Sequence, residues 1–238
     1  MFSKLSVLVP CYNEEATISV ILKKIQDVKI VANLEKEIIV VDDGSTDRTN
    51  EILNVSLQSI PGLIVIRNEY NSGKGYSITK ALEKVTGEIV LIQDADLEYE
   101  PTDYNKLLQP IIEGYADVVL GSRFRGDSPH RVLFYFHTVG NQFLTFLSNI
   151  FTQLNLTDME TGYKMFKTET IRKIKLKENR FGFEPEVVAK ISRIEDVRIY
   201  EVGIAYYGRT YKEGKKIIWK DGLRAIWCII KYNLFDRK

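Results

Sequence analysis

The chain has 238 residues, 45% of them hydrophobic and 27% charged, and its net charge is +1. A length of this order suits one sizeable α/β domain spanning residues 1–238, and the ordinary balance of apolar and charged residues excludes a disordered chain and a polytopic membrane protein. The two cysteines, Cys11 and Cys228, stand far apart and make neither a disulfide framework nor a metal-ligand spacing, which points to a reducing compartment.

The opening stretch, MFSKLSVLVPCYNEE, leads at once into an apolar run and lacks the layout of a signal peptide, so a cytosolic or cytosol-facing protein is expected. Residues 5–10 predict the first strand. Ile18, Ile21, Leu22 and Ile25 then form the apolar stripe of a helix of about four turns. Residues 37–41 predict a second strand ending in Asp42-Asp43-Gly44-Ser45-Thr46-Asp47, where Gly44 permits a tight turn and Ser45, Thr46 or Asp47 can cap the next helix. Residues 63–67 predict a third strand, followed by Asn71-Ser72-Gly73-Lys74-Gly75 and a helix bearing Ile78, Ala81 and Leu82. Strand then helix, repeated four times before residue 115, predicts a doubly wound, mostly parallel sheet.

The fourth strand carries the strongest signal. Ile89, Val90, Leu91 and Ile92 form an unbroken apolar run of the kind that a parallel sheet buries on both faces. Asp94, Asp96 and Glu98 follow at alternate positions, beyond the carboxyl end of the strand, where open α/β sheets place their ligands. Oxygen-only donors of this kind suit Mg²⁺ or Mn²⁺. A solvated acidic turn gives the same spacing. Haloacid-dehalogenase-like phosphatases use a D-x-D-x-T/V sequence, but it follows their first strand, whereas here Glu98 stands at the last position and three strand-like runs come first.

Residues 101–113 predict a helix with Pro101 near its start, and residues 117–122 a strand followed by Arg123, Arg125 and Arg131. Residues 132–157 contain no Asp, Glu, Lys or Arg, yet their Asn, Gln and Ser content is too polar for a convincing membrane span. Val139, Phe143, Phe146, Leu147 and Ile150 follow a helical stripe, which core packing and membrane contact explain equally well. Asp158 and Glu160 lie in the polar turn DMETGYK, and Met165-Phe166 begins another strand. Arg180 to Glu186 opens a helix with Pro185 and acids in its first turn. Residues 197–202 predict an edge strand, and residues 208–216 (GRTYKEGKK) a mobile basic loop. The last predicted helix, residues 217–234, has Trp219, Leu223, Ile226 and Ile230 on one side and Lys220, Arg224 and Lys231 close together, the composition of an interfacial helix or of a solvated face.

Charge is unevenly spread. Residues 1–100 hold 10 Lys and Arg against 16 Asp and Glu, a net −6, while residues 205–238 hold 9 against 3, a net +6. A basic tail of this kind suits nucleic acid, anionic lipid or a phosphorylated substrate, and charge alone does not choose.

The ordered set VPCYNEE, VVDDGSTD, NSGKG, QDADLE, GSRF and DMETGYKMF resembles glycosyltransferase family 2 with its GT-A fold, and in particular the dolichyl- and polyprenyl-phosphate sugar synthases. The resemblance implies a Rossmann-related α/β sheet flanked by helices, ending in an amphipathic helix, with a nucleotide-sugar half (1–125), an acceptor-side half (126–216) and a tail helix (217–238). It places Pro10, Tyr12, Glu14, Asp42 and Asp43 around the base and ribose of a UDP- or GDP-sugar, and Lys74 near its phosphates. Asn13, Ala95, Arg123 and Arg209 complete the donor-binding set. Asp94, Asp96 and Glu98 hold the Mg²⁺ or Mn²⁺ that bridges the diphosphate; Gln is common in place of Glu98 in the mannosyl enzymes, so the donor stays open. G-x-x-x-x-G-K-[ST] is absent, so nucleoside triphosphate hydrolysis is not implied.

The implied reaction is a metal-dependent, inverting hexosyl transfer to polyprenyl phosphate at the cytosolic face of a membrane, with Asp94, Asp96, Arg123 and Glu160 as its catalytic residues and no nucleic-acid partner. A phosphate acceptor is already ionised and needs cations, for which Arg123, Arg125, Arg131 and Arg209 are candidates. A glycan hydroxyl would need a carboxylate base, either Asp158 or Glu160. A non-catalytic nucleotide-sugar-binding module is the remaining alternative.

Overall fold

The unbroken apolar runs become the centre of one sheet because strands flanked by helices on both sides bury both of their faces. A computed structural model describes residues 2–126, 129–132, 134–210 and 219–236, with the side chains of Trp219 and Lys220 outside that description. Strands β1 (Lys4–Cys11), β2 (Glu35–Asp42), β3 (Leu63–Arg67), β4 (Ile89–Ile92), β5 (Val118–Ser122), β6 (Lys164–Lys167) and β7 (Ile199–Gly203) form a seven-stranded sheet in the order β3-β2-β1-β4-β6-β5-β7. All neighbouring pairs are parallel except those made by β6, which runs antiparallel to both β4 and β5. The strand anticipated at residues 197–202 is β7, at the sheet edge.

Alternating residues of β1 separate two cores. Leu5, Val7 and Val9 pack beneath α1 (Ile18–Asp27), α2 (Thr49–Ser59) and α4 (Tyr104–Ile112), while Leu8 lies in the cluster of α3 (Lys74–Leu82), the short α6 (Thr168–Ile171), α7 (Phe183–Ile191) and Ile229 of α8 (Trp219–Ile230). Ile18, Ile21, Leu22 and Ile25 are buried as their spacing predicts, but α1 has 10 residues, under three turns rather than four. The difference is local: the Glu14 carbonyl accepts from the Thr17 and Ile18 amides, so the preceding residues are spent on the loop over β1.

The sheet order sets the site. From β1 the chain moves outward to β2 and β3, then returns to β4 on the other side of β1. Such a reversal opens a crevice beyond the carboxyl ends of the two diverging strands. Cys11 and Tyr12 leave β1 there, and Asp94 leaves β4.

Two helices depart from their sequence patterns. In α5 (Tyr135–Thr152) the stripe Val139, Phe143, Phe146 and Ile150 faces outward, each at least 40% exposed, and within that stripe only Leu147 packs toward the core. Thr145 and Ser148 are the buried residues, beside Leu144 and Phe151, so core packing does not account for the stripe. In α8 the buried side chains are Ala225, Cys228 and Ile229, and Leu223 of the predicted face is 58% exposed. What sets this rotation is an anion that periodicity does not reveal: buried Glu178 takes hydrogen bonds from Arg224 Nη2 (2.6 Å), Lys231 Nζ (3.0 Å) and the Tyr232 hydroxyl (2.7 Å). Two of the three predicted surface cations are thereby used internally. Of the predicted loop at 208–216, residues 211–216 lie outside the described residues, as does Ile217. No helix among the described residues is long and apolar enough to cross a membrane.

Burial raises the Glu178 carboxyl, but hydrogen bonds from Arg224, Tyr232 and Lys231 outweigh it and hold the group down at about 2. A depressed carboxylate contributes stability that is present above its unfolded value of about 4.3 and is lost as pH falls through the folded value. Glu178→Gln is therefore expected to cost roughly 1–3 kcal/mol in urea unfolding at pH 7. The difference from wild type should shrink as pH is lowered toward 2.

Candidate active site

A cavity of about 460 Å³ opens over the β1/β4 crevice. Pro10, Tyr12 and Glu14 line it from β1, Asp43 from β2, Lys74 from the start of α3, and Asp94, Ala95, Asp96 and Glu98 from the turn after β4. Arg123, Glu160 and Arg209 join them from the far half of the sheet. Residues up to 199 positions apart are thus gathered at one edge of the sheet, by the carboxyl ends of the parallel strands and the turn that leads into antiparallel β6.

The carboxylates are cross-linked by two cations. Lys74 Nζ lies 2.8 Å from Asp94 Oδ1 and 2.9 Å from Glu184 Oε1. Burial opposes the charge on this lysine, yet Asp94 and Glu184 together outweigh that cost and raise its pKa. Arg209 Nη2 is 3.1 Å from Asp96 Oδ2, with Glu14 and Glu98 each at 3.6 Å. Burial, then Asp94 and Glu98, push the Asp96 carboxyl up to about 7. Leu97, between Asp96 and Glu98, adopts a left-handed backbone (φ 62°), which L side chains avoid unless the surroundings impose it.

The predicted metal ligands divide. Asp94 and Asp96 both line the cavity with oxygen donors of the kind Mg²⁺ and Mn²⁺ take, and the burial and neighbouring negative charge that raise Asp96 are what a divalent cation would offset. Glu98 is otherwise engaged: Oε1 accepts from the Arg209 amide at 2.8 Å and Oε2 from the Tyr206 hydroxyl at 3.0 Å. Among the described residues no group of three acids, histidines or cysteines converges as a ready-made cation site. The residues therefore fit a metal at Asp94 and Asp96, with Glu98 fixing the loop that carries Arg209.

Other predicted residues serve as scaffold. Asp42 is fully buried and does not reach the cavity; its Oδ1 accepts from the Ser45 amide at 2.9 Å. Asn13 is also outside it, donating its amide to Ser45 Oγ (3.0 Å) and accepting from the Thr46 amide (2.9 Å). Asp43 lines the cavity, but its oxygens hold the Gly73 amide at 2.7 Å and the Ser72 amide at 3.0 Å, which ties the Lys74 loop to β2. Asp158 is fully buried in a bidentate pair with Arg123, at 2.7 Å from both Nε and Nη2, so it is no free base. Arg125 and Arg131 are exposed and stand outside the cavity wall.

The structure adds residues that pattern reading did not assign to the site: Gly162, Arg180, Phe181, Glu184 and Tyr206. Glu184 looked like a helix-start acid, and nothing in its spacing from Asp94 announces that one lysine joins them. Lys164, fully buried, donates Nζ to the carbonyls of Met159 (3.2 Å) and Thr161, and so braces the turn that bears Glu160. Burial lowers this lysine to about 8, while burial and then Glu184 push Glu160 up to about 8.

Residues 6–175 match the profile of glycosyl transferase family 2. The chain belongs to that family. Over 97% of its length it is 27% identical to the dolichol-phosphate mannosyltransferase of Pyrococcus furiosus, of which it spans 64%. It is also 27% identical, over 98% of its length, to the dolichyl-phosphate beta-glucosyltransferase ALG5A of Trichomonas vaginalis, of which it spans 74%. Among solved structures it resembles glucosyl-3-phosphoglycerate synthase from Mycobacterium tuberculosis, in complex with Mn²⁺, uridine diphosphate and glucosyl-3-phosphoglycerate. The TM-score is 0.74 at 21% identity, covering 97% of this chain and 80% of that one, which establishes the GT-A fold. The enzyme is a family 2 glycosyltransferase, and the phosphatase reading of its D-x-D falls away.

Gly162 is where backbone and chemistry meet most closely. A Cβ there would collide with the Asp94 carboxylate and come within 2.8 Å of the Tyr99 ring. Gly162→Ala should therefore lower the transfer rate by roughly 10²-fold, the usual cost of displacing a reacting group by about 1 Å. An unchanged circular-dichroism spectrum would show that the loss is local.

Proposed function

We propose that this enzyme transfers a hexose from a UDP- or GDP-sugar to a polyprenyl phosphate at a membrane surface. The observation that carries the reading is the link between the cavity and the outward apolar helix. Tyr206 lines the cavity, and its carbonyl accepts the Arg131 amide at 2.8 Å, directly before the exposed run Val132, Phe134, Tyr135 and Phe136. An amphiphile lying on that face has its anionic head beside Arg131 at the cavity rim. The dolichyl-phosphate relatives support this acceptor class, and one being a mannosyltransferase and the other a glucosyltransferase leaves the donor sugar open.

The chemistry is a single displacement. An acceptor phosphate oxygen forms a bond to the anomeric carbon as the bond to the nucleoside diphosphate breaks, its electron pair leaving on the diphosphate, with inversion and no proton to remove. A divalent cation at Asp94 and Asp96 would stabilise the charge growing on that leaving group as a Lewis acid. Lys74 and Arg209 flank the same carboxylates and supply positive charge to the diphosphate. Arg123, held rigid by Asp158 and stacked 5.2 Å above the Tyr206 ring, presents a fixed cation toward the acceptor side. A glycan-hydroxyl acceptor would instead use Glu160, the one candidate base that lines the cavity.

Incubation with a panel of UDP- and GDP-sugars plus Mg²⁺ or Mn²⁺ should give labelled lipid-phosphate sugar only when polyprenyl phosphate is present. Asp96→Asn and EDTA should each depress that product by roughly 10²-fold or more, the scale seen when a transition-state charge stabiliser is removed. Transfer to a glycan without lipid phosphate would favour the hydroxyl reading.

The outward face of α5 is expected to bind vesicles. In a flotation assay wild type should rise with lipid, and Phe143→Asp with Phe146→Asp should stay in the dense fraction while keeping its fold. Failure of wild type to float, together with a dimer in sedimentation, would assign this face to a second copy of the chain.

A further inference from the structure

Buried polar side-chain atoms without a partner are rare, and each costs free energy unless something else satisfies it. Among the described residues, Glu160 Oε1, Glu184 Oε2 and Arg209 Nε are buried without a hydrogen-bond partner, and all three residues line the cavity. The arginine belongs with the carboxylates of the turn after β4. The two glutamates stand apart from it: Glu160 precedes β6, Glu184 opens α7, and Glu184 is the charge that acts most strongly on Glu160. Glu184 is 4% exposed, with its other oxygen on Lys74.

These orphaned acceptors constrain what can lie against them. An ionised phosphate oxygen only accepts hydrogen bonds, as does an ionised carboxylate, so a phosphate cannot satisfy Glu184, the partner of the Lys74 ammonium, and is repelled by it. A hydroxyl both donates and accepts, and so suits Glu184 as well as Glu160 in either protonation state. Lys74 marks the boundary, since the same ammonium touches Asp94 on the cation side and Glu184 on the other. In a nucleotide sugar two hydroxyl-bearing rings flank the diphosphate, the ribose and the hexose; in the donor reading the ribose lies with Tyr12, Glu14 and Asp43, which leaves the hexose for the Glu184 side of Lys74.

We propose that Glu184 and Glu160 form the sugar subsite of this cavity, where they hydrogen-bond the hydroxyls of a neutral hexose and reject a hexuronate. The inference rests on the nucleotide-sugar reading above and adds to it the side of the cavity that holds the sugar and the charge that the sugar must carry. A hexuronate would set its carboxylate against this acidic pair, where Lys74 is already shared between Asp94 and Glu184, Lys164 is held by the carbonyls of Met159 and Thr161, and Arg123 is held by Asp158.

The test is calorimetric binding to the full chain in Mn²⁺, comparing UDP with UDP-glucose and UDP-glucuronate, and GDP with GDP-mannose and GDP-mannuronate. Wild type should bind one hexose donor more tightly than its free nucleotide, and the matching hexuronate about ten-fold or more weakly than the hexose. Glu184→Gln and Glu160→Gln keep side-chain volume, so folding is checked by circular dichroism. Each should weaken hexose-donor binding by about ten-fold or more, the scale of a hydrogen bond to a charged group. Binding of the free nucleotide should stay within about two-fold, and the hexuronate penalty should fall. Equal losses for nucleotide and nucleotide sugar would mean that Glu184 acts through Lys74 on the diphosphate side, and would overturn the sugar subsite. So would wild type that takes hexuronate as well as hexose. If wild type binds none of these nucleotides, the donor reading itself fails and this inference with it.

Discussion

The structure depends on keeping acids together that would otherwise repel one another. Glu14, Asp94, Asp96, Glu98 and Glu184 meet at one edge of the sheet, where two side chains hold them, with Glu160 beside them. Lys74 joins Asp94 to Glu184, and Arg209 reaches Glu14, Asp96 and Glu98. Each cation comes from a different βα or βα-like connection than the acids it touches, so the ion pairs also fasten separate loops into one wall. Pairs this enclosed gain little net stability after desolvation, but removing one partner leaves a costly charge behind. Burial first, and then Asp94 and Glu98, keep the Asp96 carboxyl raised even with Arg209 beside it.

Around that centre the fold supplies rigid backing. Asp42 and Asp43 spend their oxygens on backbone amides, which fixes the turns after β2 and before α3. Asp158 clamps Arg123, and Lys164 braces the turn between them and β6. The antiparallel β6 is what brings Glu160 and Gly162 beside Asp94, because it delivers its leading turn, not its exit, to the carboxyl ends of its neighbours. Acid, glycine and arginine thus reach one cavity from strands running in opposite directions.

The second organising feature is a helix that is inside out. In α5 the hydroxyls of Thr145 and Ser148 face the protein beside Leu144, Leu147 and Phe151, while Tyr135, Phe136, Phe143 and Phe146 face away, against the usual burial of apolar side chains. Leu223 and Trp227 of α8, which packs beside α5, are exposed as well. Large apolar side chains gathered on one helix face mark an interaction face rather than a random scatter. The segment leading into α5 is tied to cavity-lining Tyr206, and in the proposed function that face would bring the acceptor to the site.

Local pattern alone determined the strands and most helices, since unbroken runs such as IVLI and stripes such as Ile18, Ile21, Leu22 and Ile25 report burial directly. The acids after β4 and the order of the loop motifs likewise announced the family. What the sequence left open was decided by contacts between distant residues. Periodicity shows that a stripe exists, but not which way it points, so the outward turn of α5 and the rotation of α8 around Glu178 appeared only with the fold. Spacing likewise shows that a carboxylate is present, but not what neutralises it. Asp158 and Glu160 are two residues apart and chemically alike in the chain, yet one is locked to Arg123 and the other lines the cavity with an unpartnered oxygen. Ion pairs and cavities are made between elements, and their partners are chosen by geometry that no single stretch of chain contains.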